Sequence, residues 1–416
     1  MRLTDFIYNH TRPLHWKIIF FIVSCLYSLS ESSGRNDFII YQLASLDVVN
    51  NINPYSHSYI DGYYYYYSLI FAYAIYPFTF LNAHASTFLW LVFNSILLYF
   101  ILIKIADFSG IFMEPVPSRF MFFILLILFG IRVIRENYHS AQVTILLLFL
   151  IIYSLHFLTK EKHILSSLLL SLAINIKLLA LPMLMYYLYR GYWKTFILTI
   201  LWTTILFVIP VIWMPLNFYT DCIREWWLLI NPSNDQHLID TEERSFHSIT
   251  TLISILFLKN PPDIYALPIR RHIVDLSVEQ VKTIIQVTRL ILIASVLIVI
   301  KKRPFVKSSI PELWYESAYI MALVPLIFPH QQHYAFLFQL PAISILIYFY
   351  LTTSFSLFQK IILWIIFLCF NLKIILGAFN EYYDHFKILT YGGLLTIFMM
   401  IHFSSFKLKS KNQHCI

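Results

Sequence analysis

The chain has 416 residues, of which 59% are hydrophobic and only 12% are charged, and its mean hydropathy is +0.69. A chain with so few polar residues cannot cover the surface of a water-soluble globule of this size. The composition therefore excludes a soluble protein and indicates an integral membrane protein. The net charge of +8 lies mostly in short segments between apolar runs. That placement is typical of cytoplasmic loops and argues against a nucleic-acid-binding surface.

Apolar runs recur along the whole chain at about the length that a helix needs to cross a bilayer core of about 30 Å. We predict a single membrane-embedded domain over residues 1–416, all-α, with about twelve transmembrane helices. The predicted spans are 14–31, 84–106, 119–135, 142–159, 163–176, 178–190, 194–213, 285–300, 313–328, 335–352, 358–378 and 386–405. Two shorter or interrupted segments, 66–82 and 248–258, are predicted to be re-entrant or interfacial helices.

Basic residues cluster on one side of this arrangement. With twelve spans, one face receives the segments TKEKH (159–163), RGYWK (190–194), KKRPFVK (301–307) and KLKSK (407–411). Positive charge marks the cytoplasmic side, so the opposite face is predicted to be extracytoplasmic. That outer face receives a first large loop, 32–65, and a second, 214–247, which places a polar and aromatic site outside the cytoplasm.

Asp37 opens the first outer loop. The segment after it has apolar residues at helix-like spacing, which predicts an interfacial amphipathic helix over 37–50 with a stripe formed by Phe38, Tyr41, Leu43, Leu46 and Val49. At the start of that helix, Asp37 fits an N-cap residue. A carboxylate just above the bilayer is also placed to take a proton from a hydroxyl. Both roles stay open at this point.

Aromatic residues follow in the same loop. Asn53-Pro54-Tyr55 predicts a turn after the helix. The run Tyr63–Tyr67 is typical of an aromatic belt at a membrane interface. The same rings are also suited to stack on a sugar or to line a lipid chain.

Lys177 interrupts the apolar sequence between 163–176 and 178–190, five residues before Pro182. A cation at such a boundary is either a ligand contact or a side chain that reaches to the membrane surface. Other side chains that could donate hydrogen bonds to a phosphate lie on the same predicted side: Arg132, Arg135, His139, Arg244, His247, His330 and His333. Nearby acids such as Glu136 offer ordinary ion-pair partners for some of them.

His330 and His333 have the i, i+3 spacing that can place two metal ligands on one helix. The sequence shows no third ligand, so we favour hydrogen bonds to a phosphate and predict no metal or other cofactor. The four cysteines, Cys25, Cys222, Cys369 and Cys415, have no spacing typical of a zinc site or a disulfide framework.

The order of these features resembles the GT-C glycosyltransferases, in particular the family-87-like mannosyltransferases that use polyprenol-phosphate mannose. The resemblance extends over about residues 15–340. It rests on a first span, Asp37-Phe38-x-x-Tyr41, Asn53-Pro54-Tyr55, a tyrosine-rich segment, Gln142 opening a span, Lys177 before Pro182, RGYWK, Arg244-Ser245 in an outer loop, and a late histidine loop.

This resemblance implies a GT-C-type multi-pass bundle, a polyprenyl-phosphate sugar donor, a glycan or lipid acceptor and an inverting transfer without a divalent metal. Carried onto the matching positions, Asp37 is the expected general base. The expected substrate contacts are Lys177, His330, His333, Gln142, Arg244, Tyr41 and Tyr55. The family also implies a bacterial inner membrane with the active site facing the periplasm, although an endoplasmic-reticulum membrane remains an alternative.

The chain departs from the family pattern at several positions. The usual Tyr-Pro-Pro appears as Tyr66-Tyr67-Ser68, and Gly-Gln appears as Ala141-Gln142. Lys-x-x-Pro is lengthened to Lys177 and Pro182, and Asn-x-Ser is replaced by Arg244-Ser245. The donor sugar and the acceptor are therefore not specified by the resemblance.

Two other functions fit a multi-pass chain. A lipid-linked oligosaccharide polymerase would use similar substrates, but it favours arginine-rich outer loops. A transporter or flippase predicts charged residues inside the spans and repeated halves. Here the span interiors carry almost no charge, the polar groups gather at one rim, and the two halves show no sequence repeat, so the enzyme is favoured.

Overall fold

The protein is helical throughout the part that the computed structural model describes, which comprises residues 13–34, 36–231, 245–259, 261, 263 and 266–404. Within those residues the only extended pairing is an isolated antiparallel bridge between Phe246 and Gln332. The predicted all-α class is therefore confirmed for the described residues. They form two compact units, and the prediction of a single domain stays a prediction.

The first unit comprises the described residues up to Lys104, Asn137–Asn231 and Pro304–Lys307. Its helices are α1 (Pro13–Glu31), α2 (Phe38–Val49), α3 (Leu69–Ile75), most of α4 (Ala83–Ser109), the end of α5 (Val116–His139), α6 (Thr144–Thr159), α7 (His163–Ile176), α8 (Leu181–Tyr189), α9 (Trp193–Val208) and α10 (Leu216–Ile230).

The second unit comprises Ile105–Glu136, the described residues from Ser245 to Arg303, and those from Ser308 onwards. Besides most of α5, its helices are α11 (Ile249–Phe257), α12 (Val278–Ala294), α13 (Val296–Val299), α14 (Ile310–Ile327), α15 (Leu340–Thr352), α16 (Leu357–Asn371), α17 (Asn380–His385) and α18 (Ile388–Phe403). A 3₁₀ segment, His333–Gln339, leads into α15.

Six helices in the described residues are long and apolar enough to cross a membrane: Ala83–Ser109, Val116–His139, Trp193–Ile212, Val278–Val299, His333–Thr352 and Leu357–Ile374. A seventh results if the bent pair Gly377–His385 and Ile388–Phe403 is one span. The predicted count of about twelve is therefore not confirmed. Several predicted spans are real apolar helices but shorter than a full crossing, such as α6 with 16 residues and α7 with 14.

The two predicted outer loops both contain helices. In the first, α2 begins one residue after Asp37, as predicted. In the second, 214–247, the helix α10 occupies Leu216–Ile230, which the sequence analysis did not predict. Residues 232–244 of that loop lie outside the described residues. Segments 66–82 and 248–258 form the short helices α3, with a 3₁₀ extension, and α11, in agreement with their exclusion from the predicted spans.

Helix α2 buries a different face from the one predicted. Phe38 and Tyr41 are buried as expected, but Leu43, Leu46 and Val49 are each more than a third exposed. The buried face instead continues from Phe38 and Tyr41 through other positions, Ala44, Ser45 and Val48. Leu43, Leu46 and Val49 therefore form an outward-facing apolar edge, which suits a helix lying at a lipid interface.

Hydroxyl groups join the central helices of the first unit. The Oγ of Ser154 on α6 donates to the backbone oxygen of Ser166 on α7 at 2.8 Å. From the other side of α7, Ser171 Oγ donates to the backbone oxygen of Thr199 on α9 at 2.9 Å. Small residues let apolar helices approach closely and add interhelical hydrogen bonds, which is how helices associate where lipid removes the hydrophobic effect.

Gly191 makes the turn between α8 and α9, within the RGYWK segment. Its φ is +71°, and an added Cβ would lie 2.8 Å from the backbone oxygen of Phe305. We expect Gly191→Ala to lower the free energy of unfolding by about 2 kcal/mol, because left-handed strain of about 1 kcal/mol adds to a backbone clash.

Gly62→Ala is the matched control for Gly191→Ala. Gly62 has φ +82°, but an added Cβ would meet no atom within 4 Å. Thermal unfolding in detergent should therefore show a smaller decrease in Tm for Gly62→Ala than for Gly191→Ala. Equal decreases would show that the contact with Phe305 contributes nothing.

In the second unit, α18 packs closely against its neighbours at Gly392 and Gly393. A Cβ on Gly392 would lie 2.6 Å from the Cβ of Cys369 on α16. A Cβ on Gly393 would lie 2.9 Å from Nε2 of Gln339 at the end of the 3₁₀ segment. The two glycines thus allow α18 to contact both α16 and the 3₁₀ segment that begins at His333.

Candidate active site and a buried histidine cluster

Asp37 does not cap the helix that it precedes. Its side chain makes no capping hydrogen bond; instead, Asn36 Oδ1 accepts from the backbone N–H of Phe38 at 3.2 Å. The Asp37 carboxylate accepts a hydrogen bond from Nε2 of Gln142. The capping interpretation of Asp37 is therefore wrong, and its carboxylate faces the side-chain network of the first unit.

A helix C-terminus fixes Gln142. Helix α5 ends in a Schellman motif, in which the N–H of Gln142 bonds to the oxygen of Asn137 at 2.9 Å and the N–H of Ala141 bonds to that of Tyr138 at 3.0 Å. Ala141 adopts the left-handed φ of +46° that this motif requires. Trp90 Nε1 donates to the oxygen of Ala141 at 2.9 Å. This turn directs the buried amide of Gln142 towards Asp37.

Two tyrosines complete the network around Gln142. The hydroxyls of Tyr41 and Tyr67 lie 2.9 Å apart. Both lie within hydrogen-bond distance of Gln142 Oε1, at 3.4 Å for Tyr41 and 3.3 Å for Tyr67. Burial raises the pKa of the Tyr67 hydroxyl well above its ordinary value, so this group stays protonated at neutral pH. Tyr67 is therefore a hydrogen-bonding group of this network and not a general base at neutral pH.

The side chain of Tyr67 is buried because it lies in a non-helical segment of the chain. The segment 63–67 is not helical, and from Tyr64 onwards exposed and buried side chains alternate: Tyr65 and Tyr67 are buried, whereas Tyr64 and Tyr66, like Tyr63, are more than a third exposed. Tyr55 is also buried, and its hydroxyl donates to the backbone oxygen of Tyr67 at 2.7 Å. Tyr55 therefore holds Tyr67 in place. The belt interpretation fits only the three exposed tyrosines.

Lys177 lies between helices α7 and α8, where the backbone is extended, with φ −153° and ψ 132°. Its Nζ is 5.5 Å from the centre of the Tyr67 ring, a cation–π distance. Burial lowers the pKa of Lys177 to about 8, and the charge of Asp37 opposes this shift by favouring the ammonium form. The first unit thus places a carboxylate and an ammonium group around one tyrosine.

The second unit contains a separate cluster formed by His247, His333 and Asp384, all buried. The two Nε2 atoms are 2.8 Å apart. Asp384 Oδ1 lies 3.0 Å from Nε2 of His333 and 3.4 Å from Nε2 of His247. Burial lowers the pKa of His247 to about 3, although hydrogen bonding to Asp384 acts in the opposite direction. His247 is therefore neutral at physiological pH.

Comparison with protein families decides the class of this chain. The model of glycosyltransferase family 87 matches residues 65–308, which is more than half of the sequence. The chain belongs to glycosyltransferase family 87. It is a glycosyltransferase enzyme with membrane helices. Among curated proteins, no match was found.

The matched range covers only part of the two clusters in this family 87 glycosyltransferase. Tyr67, Gln142 and Lys177 lie inside residues 65–308, as does His247. Asp37 precedes that range, and His333 and Asp384 follow it. Family membership therefore shows the activity but leaves the role of each residue open.

The structure brings together four of the predicted site residues, namely Asp37, Tyr41, Gln142 and Lys177, with Tyr55 supporting them. His330 and His333 lie in the other unit and do not form a pair on one helix. His330 has φ +53° and its ring lies 5.2 Å from that of Phe246, whereas His333 joins the cluster with His247 and Asp384. Arg244 lies outside the described residues.

The sequence analysis did not assign three functional candidates to the clusters in which they lie. Tyr67 was hidden in a run of five tyrosines, where only a period-two alternation distinguishes the buried ones. The sequence analysis identified His247 only as a potential hydrogen-bond donor to a phosphate and did not single out Asp384. His247 and Asp384 are 86 and 51 residues distant from His333 in sequence, so no local spacing signals the cluster.

Proposed function

We propose that this family 87 enzyme transfers a hexose, mannose-like in type, from a polyprenyl-phosphate donor to a glycan or lipid acceptor, with inversion at the anomeric carbon. The observation that carries the proposal is the network around Asp37. A carboxylate that caps no helix shares one buried network with Gln142 and two tyrosines, and the ammonium group of Lys177 lies over one of those rings.

In the proposed reaction, Asp37 takes the proton from the acceptor hydroxyl as that oxygen attacks the anomeric carbon. The new glycosidic bond forms on the face opposite the phosphate, and the bond between the anomeric carbon and the phosphate oxygen breaks. The electron pair of that bond leaves with the polyprenyl phosphate. One displacement of this kind inverts the anomeric configuration.

Lys177 is proposed to stabilise the departing phosphate. Negative charge grows on that phosphate in the transition state, and a preorganised cation stabilises such charge most effectively where water is scarce. We assign the transfer step no divalent ion, because Lys177 supplies positive charge beside Asp37. The remaining predicted contacts to donor or acceptor, through Tyr41, Tyr55, Gln142, His330, His333 and Arg244, stay proposals from the resemblance.

Gln142 is suited to orient Asp37. Its amide donates to the carboxylate through Nε2, while Oε1 lies within reach of the hydroxyls of Tyr41 and Tyr67. These contacts restrict the carboxylate to one direction. A general base is effective only when it is held in line with the proton that it removes.

The membrane arrangement is part of the proposal. We propose about twelve membrane-embedded segments, several of them short, in a bacterial inner membrane, with the Asp37 network on the periplasmic side. The basic segments support this orientation because they fall on one predicted face. The outward apolar edge of α2 supports an interfacial position for the helix that follows Asp37.

Incubation of the purified enzyme with labelled polyprenyl-phosphate sugars and extracted membrane lipids tests this function. We expect transfer from one such donor, and a product whose anomeric configuration is opposite to that of the donor. Nucleotide-linked sugars serve as the control and should give no product. Transfer from a nucleotide sugar alone, or a product that retains the donor configuration, would contradict the proposal.

A further inference from the structure

We propose that His247, His333 and Asp384 form a binding site for a transition-metal dication, with Zn²⁺ as the best fit. This inference goes beyond sugar transfer and does not depend on it. It also departs from the sequence-based expectation of no metal, which rested on the absence of a third ligand next to His330 and His333.

The hydrogen bonding of the three residues is incomplete without an ion. Two nitrogens and one carboxylate oxygen face one another within 3.4 Å. If only one Nε2 carries a hydrogen, that N–H donates either to the other Nε2 or to the Asp384 carboxylate. The acceptor that it does not reach is then left without a hydrogen bond. If both carry one, two N–H groups meet head to head. An unsatisfied buried polar atom is costly, and a shared cation removes this conflict.

The geometry matches a tetrahedral ion closely. Zinc bonds to histidine nitrogen and carboxylate oxygen at about 2.0–2.2 Å, which places neighbouring ligand atoms about 3.3 Å apart. The three observed separations are 2.8, 3.0 and 3.4 Å. The ligand atoms therefore need to move by only about half an ångström to accept the ion. Three protein ligands leave one position open for water or another ligand.

Outer hydrogen bonds hold the ligands in place. Lys373 Nζ contacts Asp384 Oδ2 at 2.7 Å, which leaves Oδ1 for the ion. The backbone of His247 is fixed at both ends: its N–H donates to the oxygen of Gln331 at 2.8 Å, and its oxygen accepts from Thr390 Oγ1 at 2.7 Å. Partners of this kind orient metal ligands and tune their basicity.

The surroundings select the type of ion. Lys373, Lys387 and Arg132 carry positive charge near the cluster. They offset the charge of Asp384, so electrostatic attraction alone binds a cation only weakly. Two imidazole ligands favour zinc and its neighbours over Mg²⁺ and Ca²⁺, which prefer oxygen ligands. Affinity must therefore come from the nitrogen donors. The bound ion would link three segments that are far apart in sequence and stabilise the second unit.

Metal analysis of the full-length protein tests the site. We expect about one zinc per chain after purification and dialysis. Zn²⁺ added to chelator-treated protein should raise Tm by about 2 °C or more, because an ion that binds the folded state stabilises it. Co²⁺ in place of zinc should give the intense visible absorption of a tetrahedral site. Mg²⁺ alone should produce neither change.

Variants locate the ion. His333→Ala and His247→Ala should each lower the bound zinc at least tenfold, whereas His330→Ala, three residues from His333, should leave it unchanged. If a ligand variant does not fold, the Co²⁺ spectrum of the unmodified protein still decides the coordination. Substoichiometric zinc with no Zn²⁺-dependent shift in Tm, or zinc retained in both ligand variants, would overturn the site. Both results are read from bound zinc and Tm, whereas the donor assay on the unmodified enzyme measures sugar transfer separately.

Discussion

Asp37→Asn is expected to lower the rate of sugar transfer by about 10²–10⁴-fold, the range that a positioned general base contributes. The amide keeps the size of the side chain and can still accept the hydrogen bond from Gln142 through its oxygen. It cannot take a proton from an acceptor hydroxyl. The loss should therefore fall on kcat, while the amount of folded protein and the affinity for donor remain close to those of the unmodified enzyme.

Asp47→Asn is the matched control, because Asp47 lies on α2, the helix that Asp37 precedes. Its carboxylate accepts from the hydroxyl of Tyr59 at 2.6 Å and lies 3.1 Å from His57. Neither of these partners belongs to the Gln142 network, so transfer should change by less than about threefold, as for a surface contact. If Asp37→Asn keeps more than a tenth of the activity, Asp37 is not the base.

The sequence predicted the first-loop helix well because its boundaries have local causes. Asp37 was expected at the start of a helix over 37–50, and α2 occupies Phe38–Val49. The predicted buried stripe was partly wrong, because Leu43, Leu46 and Val49 face outwards. In a membrane protein an apolar side chain is equally suited to lipid and to core, so apolar periodicity does not show which face is buried.

The break at Lys177 was also predictable, since a charged residue and a nearby proline interrupt an apolar run. Helix α7 ends at Ile176, as predicted. The number of membrane crossings was less predictable, because hydropathy alone does not distinguish a full crossing from a short helix packed among others. The contacts of His333 with His247 and Asp384 depend on tertiary packing, and its i, i+3 spacing from His330 pointed to the wrong partner.

The pH dependence of sugar transfer should reflect the ionisation of the Lys177 ammonium group. Burial lowers the pKa of its ammonium group to about 8. Below that pH the group is charged and stabilises the departing phosphate; above it the charge is lost. In the unmodified enzyme, kcat/KM should therefore fall as pH rises through about 8. The corresponding decrease in kcat should occur at higher pH, because an anionic donor bound beside Lys177 favours the charged form of its ammonium group.

Two variants of Lys177 separate its charge from its shape. Lys177→Met removes the charge and should lower kcat/KM by about 10²–10³-fold at neutral pH, as for loss of one preorganised electrostatic contact. Lys177→Arg keeps a charge that is retained above pH 12, so the alkaline limb should move upwards or vanish even if the rate falls. Lys160→Met is the control, because Lys160 is exposed at the end of α6. An alkaline limb that stays near pH 8 in Lys177→Arg would assign that limb to another group and remove Lys177 from the proposed transition state.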